Sequence, residues 1–226
     1  MKARRELLLF GAAYLLYNAG RAVTNGDMDL AIANAGWVLD VEGGASVERS
    51  VQDAFGGVWM VLLSHVYLAA QIVVLPGVLV AMYRWAPALY PRLRDTVIVT
   101  WMLSLPVYAL FPVAPPRLAG IGMTDAVSEQ SAVALAGHST LFYNPIAAVP
   151  SLHCGFAMAL GVAVAAALRS RWQKALALGW GPLVALSTVA TANHYVFDVA
   201  AGLAITGVGY LVASRPRVLR PQAVFA

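Results

Sequence analysis

AFGGVWMVLLSHVYLAAQIVVLPGVLVAMY, residues Ala54–Tyr83, runs for thirty residues without an Asp, Glu, Lys or Arg. About 20 apolar residues let an α-helix cross roughly 30 Å of hydrocarbon, so this stretch reads as a membrane span. Five more charge-free windows accompany it: Leu7–Gly20, Thr96–Pro116, Gln130–Leu168, Ala175–Phe197 and Val199–Ser214. The first is short, but Glu6 and Arg21 at its ends can snorkel toward the interfaces. The fourth contains Tyr143-Asn144-Pro145 and Pro150, so its helix is expected to start near Pro150. Asn193-His194-Tyr195 and Asp198 separate the last two. Residues 27–53 scatter acids among Ala31, Ile32, Trp37, Val38 and Leu39, a pattern expected to lie in the interface as one or two amphipathic helices. The expected fold is all-α: a polytopic membrane protein whose six-helix transmembrane bundle carries interfacial helices after the first span. Residues 1–226 are expected to form one domain.

Composition agrees. The chain has 226 residues, 60% hydrophobic and only 12% charged, with a mean hydropathy of +0.71. A soluble domain carries about 25% charged and 45–50% apolar residues. That excludes disordered, collagenous and coiled-coil classes and argues against an ordinary soluble enzyme. A single cysteine, Cys154, excludes an internal disulfide and a multi-thiolate zinc site. The basic start before Leu7 imitates a secretory signal, but Asn18-Ala19-Gly20-Arg21 is a poor cleavage site, so a retained first span is expected.

Charge distribution tests the span count independently, because basic residues favour the cytoplasmic side. With the N-terminus inside, 12 of the 15 basic residues fall in cytoplasmic segments, leaving Arg21, Arg49 and Arg117 outside. The acids segregate oppositely, with only Glu6 and Asp95 inside. The net charge of +4 therefore reports topology, and no nucleic-acid partner is expected. Both termini are placed in the cytoplasm, and the short basic loops point to a bacterial cytoplasmic membrane.

This topology sends three polar clusters to the outer face. They are Phe111–Arg117 closing the third span, Ala148–His153 opening the fourth, and Ala192–Asp198 opening the sixth. Arg117 offers a planar cation that suits phosphate oxygens. A helix starting at Pro150 would present free amides near Ser151, Leu152 and His153 to an anion. On a helix, His194 and Asp198 would share a face; the carboxylate would fix one imidazole nitrogen and free the other as a nucleophile. Two other readings use the same residues: interhelical hydrogen bonds, or an iron-type site of two histidines and a carboxylate.

Pro150-Ser151-Leu152-His153, preceded by Ala114-Pro115-Pro116-Arg117 and followed by Asn193-His194-Tyr195-x-x-Asp198, resembles the signature motifs of the type 2 phosphatidic acid phosphatase superfamily. The form is closest to its inositol phosphorylceramide synthase-like branch, and the resemblance covers about residues 96–213. It implies that His194 attacks phosphorus to form a phosphohistidine, that Asp198 orients it, and that His153 serves as acid and then base. Arg117 and Ser151 would hold the phosphoryl oxygens, and no metal or other cofactor is implied. The substrate would be a phospholipid or a polyprenyl-phosphate-type lipid.

Departures bear on the substrate. Where the phosphatase branch has a lysine before its first motif this chain has Leu110, and where it has an arginine before the third-motif histidine this chain has Thr188, although Ser187 matches the preceding serine. A cradle short of two cations suits a singly charged diester, so transfer of an inositol-phosphate-like headgroup is the leading expectation. Arg21, at the outer end of the first span, is a candidate replacement cation. The alternatives are a phosphatase acting on phosphatidic acid or polyprenyl phosphate, and a non-catalytic lipid-phosphate transporter. His65 is expected to make an interhelical bond and His138 to be solvated. Tyr143 and Asn144 are read as ordering their loop, and the tryptophans as an interfacial belt. Cys154 is read as a small buried residue, and Gly155, Gly161, Gly202 and Gly207 as close-packing positions.

Overall fold

The computed structural model describes residues 3–23, 26–130 and 144–215. Lys2, His138, Tyr143, Arg217 and Arg220 lie outside the described residues. Eight helices organise the description: α1 (Ala3–Val23), α2 (Met28–Glu42), α3 (Ser46–Ala54), α4 (Val58–Trp85), α5 (Tyr90–Leu110), α6 (Leu152–Ala167), α7 (Arg171–Ala190) and α8 (Val196–Ala213). No strand occurs among the described residues; one isolated bridge joins Val113 to Ala147. The all-helical class is as expected. By length and composition α4, α5 and α8 can cross a membrane, and α6 is a shorter apolar helix. The protein is an integral membrane protein.

Several boundaries differ from the sequence reading. The third window ends as a helix at Leu110 and not at Pro116, because Pro112, Pro115 and Pro116 cannot supply amides to continue it. Residues 111–115 run extended instead: Val113 donates to the Ile146 carbonyl, Ala148 to that of Val113, and Ala114 to that of Ala31. The helix of the fourth window, α6, starts at Leu152, near Pro150 as expected, with Ser151 as its N-cap. Helix α4 contains a π-helical turn over Ala70–Val74.

An aromatic cluster joins α1, α5 and α6. Trp101 is buried, stacked on Tyr17 (5.5 Å) and met edge-on by Phe10 and Phe156. It is thus a core residue and not part of a belt, whereas Trp37, Trp59, Trp85 and Trp172 are exposed. At one end of the bundle the Arg94 guanidinium meets the Glu6 carboxylate at 2.7 Å, both side chains nearly buried, which ties α1 to α5. A methyl at Gly155 would collide with Thr206 and the Gly202 carbonyl, and one at Gly202 with the Ser151 carbonyl. This contact between α6 and α8 brings the second and third motifs together. Gly207 differs: nothing lies within 4 Å of its Cβ position, so it is not a close-packing residue. His65 is exposed and bonds the Val61 carbonyl of its own helix, while Ser64 is buried and donates to Ala126. The expected interhelical bond therefore belongs to the serine.

Candidate active site

A small polar cavity of about 130 Å³ opens at the C-terminal ends of α1 and α5 and the start of α6, beside the middle of α4 and the α7–α8 loop. Arg21, Arg117, His153 and His194 line it, with Tyr17, Tyr67, Gln71, Tyr108, Asn144 and Asn193 among their neighbours. Four of the six residues singled out in the sequence therefore meet in one place.

His194 is set by the turn after α7. The amides of Asn193 and His194 both donate to the Thr188 carbonyl, and Ala192 takes a left-handed φ of 57°. Such a conformation is costly for a residue with a Cβ and persists only where its surroundings enforce it. Asp198 is fully buried; its Oδ2 accepts from the Tyr195 amide at 2.9 Å and lies 3.2 Å from His194 Nδ1. His194 and Asp198 are thus joined, but not on one helical face. His194 lies outside the helix, and its carboxylate partner folds back over the helix start to cap Tyr195. Burial, and then the Arg117 guanidinium, hold the His194 imidazole below its ordinary pKa, at about 3. The resting ring is neutral, as a nucleophile requires.

His153 is the second residue of α6, and its ring stacks on Tyr67 at 4.2 Å, 20° from parallel. Its centroid is 5.9 Å from that of His194, leaving the two imidazoles on either side of a small gap. Arg117 sits in a 3₁₀ turn after Pro115. Its amide donates to the Ala192 carbonyl, Nη1 donates to Asn193 Oδ1 at 2.6 Å, and Nε lies 3.3 Å from Asp125. Arg21 donates to the Asn144 carbonyl at 3.3 Å and stands over the Tyr17 ring. Asn144 also accepts from the Ile146 amide, which gives it the ordering part expected for its loop.

Ser151 does not line the cavity. Its hydroxyl is buried and accepts from the Cys154 amide at 3.4 Å, and its own amide donates to the Asp198 carbonyl. Among the amides expected at this helix start, those of Leu152 and His153 have no acceptor among the described residues. Leu110 is 84% exposed and Thr188 is buried against Cys154 and the Ala185 carbonyl. Neither reaches the cavity, so the second cation in it is Arg21.

Two acids invisible as site residues in the sequence complete the arrangement. Glu48, fully buried on α3, accepts from the Val196 amide at 3.2 Å, and Glu42, at the end of α2, accepts from the Phe197 amide. Burial first, then the Glu48 charge, pushes Glu42 up to about 7 against the opposing Phe197 bond. The first three amides of the α8 start are thus all closed by carboxylates. The only sequence signal was the pair of acids in an amphipathic stretch; no spacing rule connects residue 48 to residue 196. Tyr67 and Gln71, four residues apart in a charge-free span, gave a weak signal of a shared polar face. Among the described residues no group of three or more His, Cys, Asp or Glu side chains is placed to hold a metal ion.

The sequence profile of the PAP2 superfamily matches residues 37–212. No curated protein sequence matches the chain. The fold is similar to the crystal structure of LpxE from Aquifex aeolicus, with a TM-score of 0.57 and 16% identity over 74% of this chain and 92% of that one.

Proposed function

The chain belongs to the PAP2 superfamily, and from that premise we propose that it is an integral-membrane lipid phosphatase working through a phosphohistidine. One observation carries the reading: two arginines and two histidines line a single small cavity, and one histidine is oriented by a fully buried aspartate. With Asp198 on Nδ1, His194 Nε2 attacks phosphorus as the bond to the lipid oxygen breaks. His153 gives that oxygen its proton. Water then attacks the phosphohistidine, His153 takes its proton, and the phosphorus–nitrogen bond breaks to release phosphate. Arg21, Arg117 and the Leu152 and His153 amides hold the phosphoryl oxygens as charge develops. Two arginines in the cavity suit a dianionic monoester, which favours the phosphatase over the headgroup transferase. Ser151 serves by capping α6 and so aiming His153.

Transfer of an inositol-phosphate-like headgroup to a hydroxyl acceptor is the second reading. The departures at Leu110 and Thr188 suggested it from the sequence, but neither residue reaches the cavity, so it stands behind the phosphatase. The proposed topology has six spans, α1 and α4 to α8, with α2 and α3 at the interface, both termini cytoplasmic and the cavity facing outside. Arg4, Arg5, Arg84, Arg92, Arg169, Arg171, Lys174 and Arg215 all sit at helix ends remote from the cavity, in support of that orientation. The setting is a bacterial cytoplasmic membrane.

The test offers detergent-purified protein a phosphatidic-acid-type monoester and a phosphatidylinositol-type diester, with and without EDTA, beside His194→Ala. Phosphate release from the monoester, lost in the variant and indifferent to EDTA, is expected. Diester turnover with little monoester hydrolysis would make it a transferase. Function surviving in His194→Ala would favour a transporter, and loss in EDTA a metal enzyme.

A further inference from the structure

The bundle has a larger cavity at its other end. A groove of about 480 Å³ runs between the first turns of α5 and the facing sides of α6 and α8, its wall almost wholly apolar. Ala159, Ala163 and the exposed Gly207 line it, and at its far end the Arg92 guanidinium stands 5.7 Å over the Tyr210 ring. A second cavity of about 400 Å³ adjoins it and shares Leu89 and Arg92; Arg215 lines its rim.

Three features make this a site rather than a gap. First, it is separate from the catalytic cavity: the two share no lining residue, and Gly155 packs closely on Gly202 and Thr206 at the end nearer His153. Second, Gly207, which lines the groove, has no side chain to fill it and empty space at its Cβ position. Third, its chemistry is ordered along its length, apolar at membrane depth and cationic where the helices emerge. That is the profile of one phospholipid, with an acyl chain in the groove and an anionic headgroup at the arginines.

We propose that this groove binds an anionic phospholipid from the leaflet opposite the catalytic cavity, its acyl chain along Ala159, Ala163 and Gly207 and its phosphate on Arg92 and Arg215. The site is independent of the reaction assigned to the histidines. Anionic lipid here would brace α6 against α5 and α8, as Arg94 and Glu6 tie α5 to α1.

Native mass spectrometry of the detergent-purified protein titrated with phosphatidylglycerol or phosphatidylcholine of matched chains tests it. The wild type should retain one phosphatidylglycerol at least tenfold more tightly than phosphatidylcholine. Arg92→Gln should abolish most of that preference and Arg92→Lys keep much of it. Gly207→Leu puts a side chain into the groove from a position with open space at its Cβ and favours the helix, so it should lose the lipid while its melting temperature without lipid stays or rises. Equal retention of both lipids, or unchanged retention in Gly207→Leu, would overturn the proposal and leave only exchanging annular lipid.

Discussion

Helices α6 and α8 both begin beside the catalytic cavity, and they begin in opposite ways. At α6 one hydroxyl, Ser151, caps one amide, and the Leu152 and His153 amides have no acceptor among the described residues. At α8 the Tyr195, Val196 and Phe197 amides are closed by Asp198, Glu48 and Glu42. A helix N-terminus attracts anions through its free N–H groups and dipole. The first end therefore stays available to an anion, which in the proposed function is a phosphoryl group. The second has spent the same attraction on its own carboxylates, which fix the segment that carries His194, the proposed nucleophile.

The largest effect expected from breaking the closed end is at Asp198. Asp198→Asn preserves shape but lets His194 take the wrong tautomer, and a loss of kcat on the order of 10³ to 10⁴ follows by analogy with triad aspartates. Single-turnover phosphorylation of His194, followed by acid-labile label, checks it. Retention of more than a tenth of wild-type kcat would show that the carboxylate only caps the helix. Next comes Glu48→Ala, which strips the Val196 amide of its buried acceptor. It should lower kcat about 10- to 100-fold with little change in KM, because a small misplacement of His194 is enough. It should also cost about 1–3 kcal/mol of stability. Glu48→Gln retains an acceptor oxygen and should rescue most of kcat; equal damage in both variants would mean that charge and not position is what matters.

At the open end the effects are smaller and of another kind. Ser151→Ala removes an N-cap and should cost about 1 kcal/mol, read as a lower melting temperature. Because the capped helix aims His153 and two free amides, KM should rise a few-fold as well. A large fall in kcat at unchanged KM would instead give Ser151 a direct part in the chemistry.

How far the sequence carried depends on the range of the interaction. Apolar windows and proline punctuation are local, and they placed most helix ends to within a few residues, although α5 and α7 end well before the windows Thr96–Pro116 and Ala175–Phe197 do. Arg117, His153 and His194 were legible because each sits at a helix end beside a motif. The contact between His194 and Asp198 was legible too, but its geometry was not, because capping and helical-face contacts share nearly the same spacing. Glu42 and Glu48 were out of reach. Their partners are about 150 residues away, bound through backbone amides that carry no side-chain signature. The groove behind Gly207 was misread for a related reason: a glycine that permits contact and one that preserves space look alike in sequence.

The finest distinction between the two ends is in their response to pH. Glu42, facing Glu48, Asp198 and the Phe197 amide, titrates near 7 in the folded protein against an ordinary carboxylate value near 4.5. A group raised on folding contributes stability that is fully present below its unfolded value and is lost as pH rises through the folded one. The wild type should therefore lose stability from this group between pH 4.5 and 7. His194 acts oppositely: its pKa is lowered on folding, so its contribution is present above about 6.5 and is lost as pH falls toward 3. Comparing wild type with Glu42→Gln cancels the histidine, which both proteins share. The difference in melting temperature, variant minus wild type, should become more positive from pH 5 to pH 8 and then level off. Because Glu42 is partly open to solvent, screening keeps the shift to a few degrees at most. A difference that stays constant with pH would mean that Glu42 stays ionised in the fold, with the Phe197 amide outweighing burial and the neighbouring carboxyl group.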